Sequence, residues 1–314
     1  MQQHNNKLYV VTVVFNPHGF KSRTNLYNQF AEYMDFSRVE LFTVEIAFKD
    51  RPFEVTTAHN PWNLQLRTDN VLWHKERGIN LGISKLLHLV PDANYIAWID
   101  ADVKFANPNW ANDTVLALHH HTIVQPFSQA INLNPNFEEI WHCPSAIAYY
   151  KNKLGYHQKP SIKTQYLCGG HPGLAWAARR ETLEQLGGLM DFCIAGSGDT
   201  HMINAMLGDV KLFYRPGMTK SFEKALERWA KKCYRYVNKN VGFVNGACYH
   251  YWHGKSEQRG YEKRWDIINF HQFDPHEDIT IGLNGLYKWT GNKPELEQDI
   301  FLSTKSRNED SIDE

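Results

Sequence analysis

Two aspartates, Asp100 and Asp102, stand one residue apart in the segment 95–105, YIAWIDADVKF. The apolar run before them predicts a buried strand, and residues two apart in a strand point to the same side. The two carboxylates can therefore converge on one ion, and Mg²⁺ or Mn²⁺ is usually held by one or two carboxylates together with substrate phosphates. Ligands of open α/β sheets bind beyond the carboxyl ends of the strands. The pattern predicts a metal and diphosphate site in an enzyme that acts on a nucleotide-activated substrate.

The Asp-x-Asp triplet also has a simpler explanation. Such a triplet arises by chance about once in a chain of this length. Aspartates that follow a strand often only form turns or cap helices. The metal interpretation therefore depends on the preceding apolar run and on two motifs later in the chain.

The second motif consists of the glycine-rich segments 169–177, GGHPGLAWA, 187–189, GGL, and 196–199, GSGD. Glycine lets the backbone turn tightly and approach a ligand closely. Asp199 ends the last segment and opens a predicted helix. Its simplest role is that of a helix N-cap. The functional alternative is a general base that takes the proton of an acceptor hydroxyl.

The third motif is HYWHG at 250–254. If this segment is extended, His250 and His253 face opposite sides. One of them would then be a metal ligand, with His250 preferred, and the other would contact the diphosphate or the fold. A purely structural role is the alternative for either histidine. A mixed Asp and His ligand set suits Mn²⁺ better than Mg²⁺.

Composition describes an ordinary globular chain of 314 residues with 42% apolar and 22% charged residues, long enough to bury a sizeable core. The net charge of zero argues against attraction of the whole molecule to nucleic acid, although a local patch could bind it. Five scattered cysteines without CxxC spacing predict buried free thiols in a reducing compartment. The N-terminus lacks signal-peptide features and no apolar stretch of about 18 residues occurs, so we expect a cytoplasmic protein without membrane contact.

Hydrophobic patterning alternates strands with helices and predicts an α/β fold with a mostly parallel, doubly wound sheet. Strands are predicted at 7–15, 39–48, 95–105 and 122–127. Helices are predicted at 23–34, 69–89 with Asp69 as the cap, 179–186, 200–207 and 221–236. We expect segment 132–165 to be an irregular excursion over the site. The acidic tail 303–314 is expected to be disordered.

Taken together, the motifs resemble those of GT-A-type glycosyltransferases, and more closely a bacterial and phage group of that fold. The matching pieces are FNPHGFKSR (15–23), LWHKERGIN (72–80), IAWIDADVKF (96–105), VQPF (124–127), GLAWAARR (173–180), GGLMD (187–191), GSGD (196–199), HYWHG (250–254) and RGYEKRW (259–265). They cover most of residues 7–270 in the expected order.

The resemblance implies a Rossmann-like GT-A domain over residues 1–302, with a nucleotide-binding half at about 1–125 and an acceptor-binding, catalytic half at about 126–302. It implies that Asp100 and Asp102 form the DxD metal site, that a late histidine completes the metal shell, and that Asp199 is the catalytic carboxylate. The chain has GSGD where Glu-Asp is common, which leaves the base and the inverting or retaining outcome open. The implied donor is a nucleotide-sugar, with a UDP-sugar preferred, used with Mn²⁺ or Mg²⁺.

In such a fold the end of the first strand binds the nucleotide base. The candidate residues for nucleotide-sugar binding are Phe15, Asn16, Pro17, Arg23, Lys75, Arg77, Asp100 and Gly173. Arginine suits this role because it offers bidentate donors to phosphate. For Lys75 and Arg77 the alternative is a solvated helix face.

A basic segment at 211–239 holds nine Lys and Arg against two Glu, interleaved with aromatic residues. This composition suits a phosphate-bearing acceptor such as DNA, and a solvated surface helix is the alternative. The candidate acceptor contacts are Trp176, Lys231, Lys232 and Arg235. The preferred acceptor is a hydroxymethylated base in phage-type DNA, which would place the protein in the host cytoplasm.

Other functions remain open at this point. The acceptor could be a cell-surface or small-molecule glycan. A sugar nucleotidyltransferase would need a glycine-rich phosphate loop after the first strand, and FNPHGF at 15–20 matches such a loop poorly. A non-catalytic module that binds glycans or nucleic acid belongs to a different class, and the combination of DxD, Asp199 and the histidines argues against it.

Overall fold

The structure is a computed structural model that describes residues 6–152, 170–260 and 263–311. The strands are β1 (Leu8–Phe15), β2 (Glu40–Phe48), β3 (Asn63–Thr68), β4 (Tyr95–Ile99), β5 (Val103–Phe105), β6 (Ile123–Gln125), β7 (Gln129–Leu133), β8 (Glu139–Pro144), β9 (Ala175–Arg179), β10 (Val241–Phe243), β11 (Ala247–His250), β12 (Ile279–Ile281) and β13 (Tyr287–Trp289). The helices are α1 (Lys21–Phe36), α2 (Lys75–Leu89), α3 (Trp110–His120), α4 (Ala146–Lys151), α5 (Arg180–Leu186), α6 (Gly198–Met206), α7 (Lys220–Val237), α8 (Lys263–Phe270) and α9 (Pro294–Lys305). None of the described helices is long and apolar enough to cross a membrane.

The main sheet has seven strands in the order β10-β6-β9-β4-β1-β2-β3. Its strands are parallel except for β9, which runs antiparallel to both β4 and β6. Neighbouring residues of β1, Val10 and Val11, are both fully buried but belong to different hydrophobic clusters, so the sheet is covered on both faces. Such burial on both faces is what a continuous β-branched run favours. The predicted α/β fold with a mostly parallel sheet flanked by helices is confirmed.

A second sheet of four strands, in the order β5-β11-β7-β8, receives the chain directly after β4. The single strand predicted at 95–105 is wrong, because the chain leaves the main sheet after Ile99 and β5 pairs antiparallel with β11. Asp100 and Asp102 therefore lie in the turn between the two sheets. The Asp100 backbone N–H donates to Leu174 O at 2.8 Å, and Asp102 O accepts from Tyr251 N at 2.9 Å.

Most other predicted elements are confirmed, with two exceptions. Helix α2 begins at Lys75, six residues after the predicted start at Asp69, because the preceding loop is held to Ile194 O by the Trp73 backbone N–H. The irregular excursion is wrong for residues 132–152, which form the end of β7, then β8 and α4; its remainder, 153–165, lies outside the described residues. Several elements were not predicted from the sequence. Among those of the main sheet, β3 is a polar edge strand and β9 is rich in alanine, compositions that do not favour a strand.

The tail after Leu302 is packed as far as the structure describes it, so the prediction of disorder is wrong for residues 303–311; residues 312–314 lie outside the described part. Glu309 is buried and ion-paired with Arg23. The Asp310 carboxylate accepts hydrogen bonds from the backbone N–H groups of Lys21 at 3.0 Å and Ser22 at 2.8 Å. The N-cap residue of α1 provides no side-chain hydrogen bond. A residue of the C-terminal tail, far away in sequence, therefore caps the start of this helix.

Among the described cysteines, Cys193, Cys233 and Cys248 are buried free thiols and Cys143 is half-buried and free. The prediction of free, largely buried thiols is confirmed for these four residues. Cys168 lies outside the described residues.

Candidate active site

A cavity of about 290 Å³ opens where the carboxyl ends of β1 and β4 meet the second sheet. Its walls include Phe15 at the end of β1, Asp100 after β4, and Asn132 and His250 from β7 and β11. Asp199 at the start of α6 lines the same cavity. The position agrees with the rule that ligands of open α/β sheets bind at the carboxyl ends of the strands.

One wall carries a cluster of three side chains that could hold a metal ion. Asp102 Oδ2 lies 3.4 Å from His253 Nε2 and 3.8 Å from His250 Nε2, and the two Nε2 atoms are 3.1 Å apart. One donor atom from each residue fits within 4.8 Å of the others. Asp102 Oδ1 and His253 Nδ1 are buried and have no hydrogen-bond partner in the described part of the chain. A divalent cation fits this donor set, since buried carboxylate and imidazole groups need such compensation.

The protonation of this cluster follows from its surroundings. The His250 ring contacts Asn132 Oδ1 through Nδ1 at 2.7 Å. The amide oxygen accepts and Nδ1 of His250 donates, so Nε2 is the ring atom that faces Asp102. Burial opposes ionisation of Asp102, but His250, His253 and nearby Arg23 hold its pKa well below the ordinary value. Burial, followed by the charge of Arg259, lowers the pKa of His253 well below its ordinary value.

Both histidines face Asp102, whereas the extended geometry predicted opposite sides. Strand β11 ends at His250, and the chain then turns, which brings the ring of His253 back to its neighbour. Asn132 was not identified from sequence. It is the register partner of His250 across β11 and β7, and no signal in the sequence predicts that pairing.

Asp100 is not a member of this cluster. Its Oδ1 lies 2.5 Å from Nζ of Lys75, the first residue of α2. Burial raises the pKa of Asp100, Asp102 adds to the effect, and Lys75 opposes it. Burial works against the charge of Lys75, but the carboxylates of Asp100, Glu76 and Asp199 raise its pKa overall. The two aspartates thus have different partners: Asp100 contacts the Lys75 ammonium, and Asp102 contacts two imidazoles.

Asp199 is the second residue of α6, and the N-cap is Ser197 in the left-handed region with φ of 68°. The N-cap interpretation of Asp199 is therefore wrong. A Cβ on Gly173 would collide with the Asp199 carboxylate, so only glycine permits this approach. Behind Asp199 lies Glu76, which is buried, and this burial raises the pKa of Glu76 to about 8.

The predicted nucleotide contacts divide into two groups. Phe15, Asn16, Pro17 and Arg23 all line the cavity, with Arg23 already ion-paired to Glu309. By contrast, Arg77 does not appear among the described residues that line it. Its Nη1 donates to Asp191 Oδ2 at 3.1 Å and its Nε to Gly285 O at 2.5 Å. Asp191 thus occupies the guanidinium group that the sequence suggested for phosphate.

The predicted acceptor contacts lie away from the main cavity. Trp176 is buried and its Nε1 donates to Pro172 O at 2.8 Å. Lys232 Nζ donates to Leu186 O at 3.1 Å, which ties α7 to the end of α5. Lys231 and Arg235 are exposed on α7, and no residue of this helix is among the described lining residues. The lining of the cavity also includes residues to which sequence reasoning gave no role: Trp73, His171, Arg259, Arg264, Trp265 and Arg307.

No protein-family model matches the sequence, and no curated protein matches it. Among solved structures, a Drosophila beta-1,4-galactosyltransferase 7 variant in complex with manganese, UDP-Gal and xylobiose is 12% identical, with coverage of 92% of this chain and 73% of that chain and a TM-score of 0.32. Mannosyl-3-phosphoglycerate synthase from Rubrobacter xylanophilus is 10% identical, with coverage of 90% of this chain and 84% of that chain and a TM-score of 0.39. These overlaps are too loose to transfer an activity to this chain.

Proposed function

We propose that this protein is a metal-dependent glycosyltransferase of the GT-A type, which moves a sugar from a nucleotide-sugar to an acceptor hydroxyl. The proposal is carried by one observation: the cluster Asp102, His250 and His253 and the carboxylate of Asp199 line a single cavity at the carboxyl edge of the main sheet. A leaving diphosphate needs a cation and an attacking hydroxyl needs a base, and the cavity has candidates for both.

The proposed metal ligands are Asp102, His250 and His253, with Asn132 orienting one imidazole. The proposed ion is Mn²⁺, because imidazole ligands favour it over Mg²⁺. When bound, the ion would neutralise negative charge on the diphosphate as a Lewis acid. The role proposed for Asp100 is to hold the Lys75 ammonium at the cavity wall, where it can meet a phosphate oxygen.

The donor is proposed to be a UDP-sugar, the kind of donor that the Drosophila complex contains together with manganese. The base would lie against Phe15, Asn16 and Pro17, which line the cavity at the end of β1. The Asn16 side chain is held in place by Phe20, whose backbone N–H donates to Oδ1 at 2.9 Å and whose carbonyl accepts from Nδ2 at 2.9 Å. A fixed loop at this position reduces the entropy lost when a nucleotide binds.

Asp199 is the proposed general base. In the transfer step the acceptor oxygen forms a bond to the anomeric carbon, the bond from that carbon to the diphosphate oxygen breaks, and the diphosphate leaves with the electron pair. Asp199 takes the proton that the acceptor hydroxyl releases. Lys75 contacts Asp100 and the histidines contact Asp102, two residues of one turn. We therefore assign Lys75 and the metal ligands to the side of the leaving group.

The acceptor is a separate and finer proposal. A hydroxymethylated base in DNA is favoured only by the exposed charges of α7, such as Lys231 and Arg235, and these charges do not line the described cavity. A glycan or small-molecule hydroxyl is the alternative. One product assay with DNA containing hydroxymethylated bases, and with glycan acceptors, distinguishes them.

The first test is thermal stability of the full chain with UDP and other nucleoside diphosphates, with and without Mn²⁺, followed by release of UDP from UDP-sugars. A ligand at a hundred times its Kd stabilises by about 2.7 kcal/mol. We expect a UDP shift that requires Mn²⁺ and disappears in Asp102→Asn but persists in the control Asp92→Asn, an exposed residue that precedes the start of β4, whereas the cluster lies beyond the end of this strand. If no nucleotide shifts the melting temperature and no UDP-sugar is turned over, the proposal is wrong. Nucleotide binding without turnover would favour the binding-module alternative.

A further inference from the structure

His171 has a fixed backbone at the wall of the cavity. Its N–H donates to Pro144 O at 2.8 Å, and its carbonyl accepts from Ala146 N at 3.0 Å and from Gln125 Nε2 at 3.0 Å. The ring of Trp141 lies nearly parallel to the imidazole, with an interplanar angle of 15° and centroids 6.3 Å apart. These hydrogen bonds fix the backbone of His171, and the stacked Trp141 ring restricts where the imidazole can lie.

The tautomer of His171 follows from one hydrogen bond. The Gly173 backbone N–H donates to His171 Nδ1 at 3.2 Å. Because a backbone N–H cannot accept, Nδ1 carries the lone pair and the proton of the neutral ring is on Nε2. Burial, with smaller effects from His250 and Lys75, lowers the pKa of His171 to about 3, so the ring is neutral near pH 7. Nε2–H has no hydrogen-bond partner among the described residues, and His171 lines the cavity.

The position of His171 relative to Asp199 indicates what this N–H could meet. A Cβ placed on Gly173 would lie 3.6 Å from His171 Cε1 and would collide with the Asp199 carboxylate. The imidazole and the carboxylate therefore adjoin the same point of the cavity. His250 and Lys75, which the proposed function places on the diphosphate side, lie close enough to lower the pKa of His171. In glycosyl transfer, the group between the leaving diphosphate and the base is the transferred sugar.

We propose that His171 is a specificity-determining residue whose Nε2–H donates a hydrogen bond to a hydroxyl of the transferred sugar. The inference rests on the proposed function and deepens it, because it names a residue that recognises the sugar of the donor and not its nucleotide. A donor that loses its water when the sugar binds discriminates against a sugar that lacks the matching hydroxyl, since the donor is then left unpaired.

A matched pair of substitutions separates this role from a structural one. The amide of asparagine overlays the Nδ1 position, so His171→Asn keeps an acceptor for Gly173 N–H and removes the donor at Nε2. The longer glutamine places its amide near Nε2, so His171→Gln keeps the donor and loses the acceptor. A structural role predicts that the asparagine variant is the better substitute, and recognition of the sugar predicts the glutamine variant.

The experiment compares the thermal shift of each variant with Mn²⁺ and UDP to the shift with Mn²⁺ and the UDP-sugar, and measures kcat/KM for transfer. The exposed His120→Asn is the control. We expect unchanged UDP shifts in all variants. The additional shift from the sugar should be lost and kcat/KM should fall by about tenfold in His171→Asn, with partial recovery in His171→Gln.

A series of deoxy UDP-sugars identifies the hydroxyl. Removal of the hydroxyl that His171 contacts should lower kcat/KM of the wild type by about tenfold and have no further effect in His171→Asn. If every deoxy donor affects the wild type and His171→Asn equally, or if His171→Asn keeps the full sugar-dependent shift, the inference is overturned while the glycosyltransferase proposal stands. If the wild type itself gains nothing from any UDP-sugar and turns none over, both proposals fail.

Discussion

The ion pair between the C-terminal tail and helix α1 gives a prediction whose magnitude follows from its burial. The Glu309 side chain is 2% exposed and accepts from Arg23 Nη2 at 2.7 Å, with Arg307 Nε 3.0 Å from Oε1. Glu309→Gln keeps the shape but removes the negative charge between two guanidinium groups. Breaking a fully buried pair costs about 3–5 kcal/mol. Since the Arg23 side chain is 29% exposed, water compensates part of the loss, and we expect about 2–3 kcal/mol.

The assay is thermal unfolding at pH 7 beside a matched control. With an unfolding entropy of about 2.1 cal/mol/K per residue, a chain of this size loses about 1.5 °C per kcal/mol, so Glu309→Gln should melt about 3–5 °C lower. The control Glu184→Gln removes a carboxylate from an exposed pair with Arg180, in which the side chains are 31% and 53% exposed. It should change the melting temperature by about 1 °C or less. Equal shifts in the two variants would refute the reasoning.

The pH dependence of the same variant tests whether the ionised form of Glu309 is the one that stabilises the fold. Burial opposes ionisation of Glu309, but Arg23 and Arg307 lower its pKa in the folded protein below the ordinary value of 4.5. A carboxyl group of this kind contributes stability above its unfolded pKa and loses that contribution as the pH falls towards its folded pKa. The gap between wild type and Glu309→Gln should therefore narrow from pH 7 to pH 3. A gap that is constant over this range would contradict the assignment.

Two further predictions concern the other carboxyl groups near the cavity. Asp199→Asn should reduce transfer by about 10²–10⁴-fold and leave the Mn²⁺-dependent UDP shift unchanged; full turnover in this variant would exclude Asp199 as the base. Burial raises the pKa of Glu76 to about 8, so its contribution to stability is present below the unfolded pKa and is lost as the pH rises through about 8. Glu76→Gln stays neutral, so its melting temperature minus that of the wild type should increase from pH 5 to pH 9. Thermal unfolding of both proteins at the two pH values measures this difference. A difference that is the same at both pH values would contradict the assignment.

The sequence predicted those elements whose own hydrophobic pattern determines which of their faces are buried. The run at β1 could only be a strand buried on both faces, and the strongly amphipathic α7 could only be a surface helix. The segment 95–105 was misleading because it contains two strands, β4 and β5, separated by only three residues, and both have buried apolar side chains. The hydrophobic pattern indicates that a residue is buried but not to which sheet it belongs. The passage of the chain from the main sheet to the second sheet at Asp100 and Asp102 could therefore not be predicted.

Charged residues of the site were harder to place than its motifs. Lys75 and Arg77 lie on the same helix turn and were given the same role, yet Lys75 reaches Asp100 and Arg77 reaches Asp191. Which carboxylate a side chain meets depends on contacts far apart in sequence, and the hydrophobic pattern does not encode them. For the same reason the charges of α7 counted as a binding patch in the sequence although they do not line the described cavity.

The register between β5 and β11 explains why two separate motifs form one cluster. Val103 pairs with His250 and Lys104 with Tyr249, so the antiparallel ladder brings Asp102 opposite Tyr251, whose N–H donates to Asp102 O at 2.9 Å. His253 follows two residues later and turns back to the same carboxylate. A shift of one residue would turn the side chains of β5 to the other face and separate Asp102 from both imidazoles. Asp102 of DxD and the two histidines of HYWHG are therefore brought together only by the pairing of β5 with β11. The same pairing holds the short β5 in the second sheet.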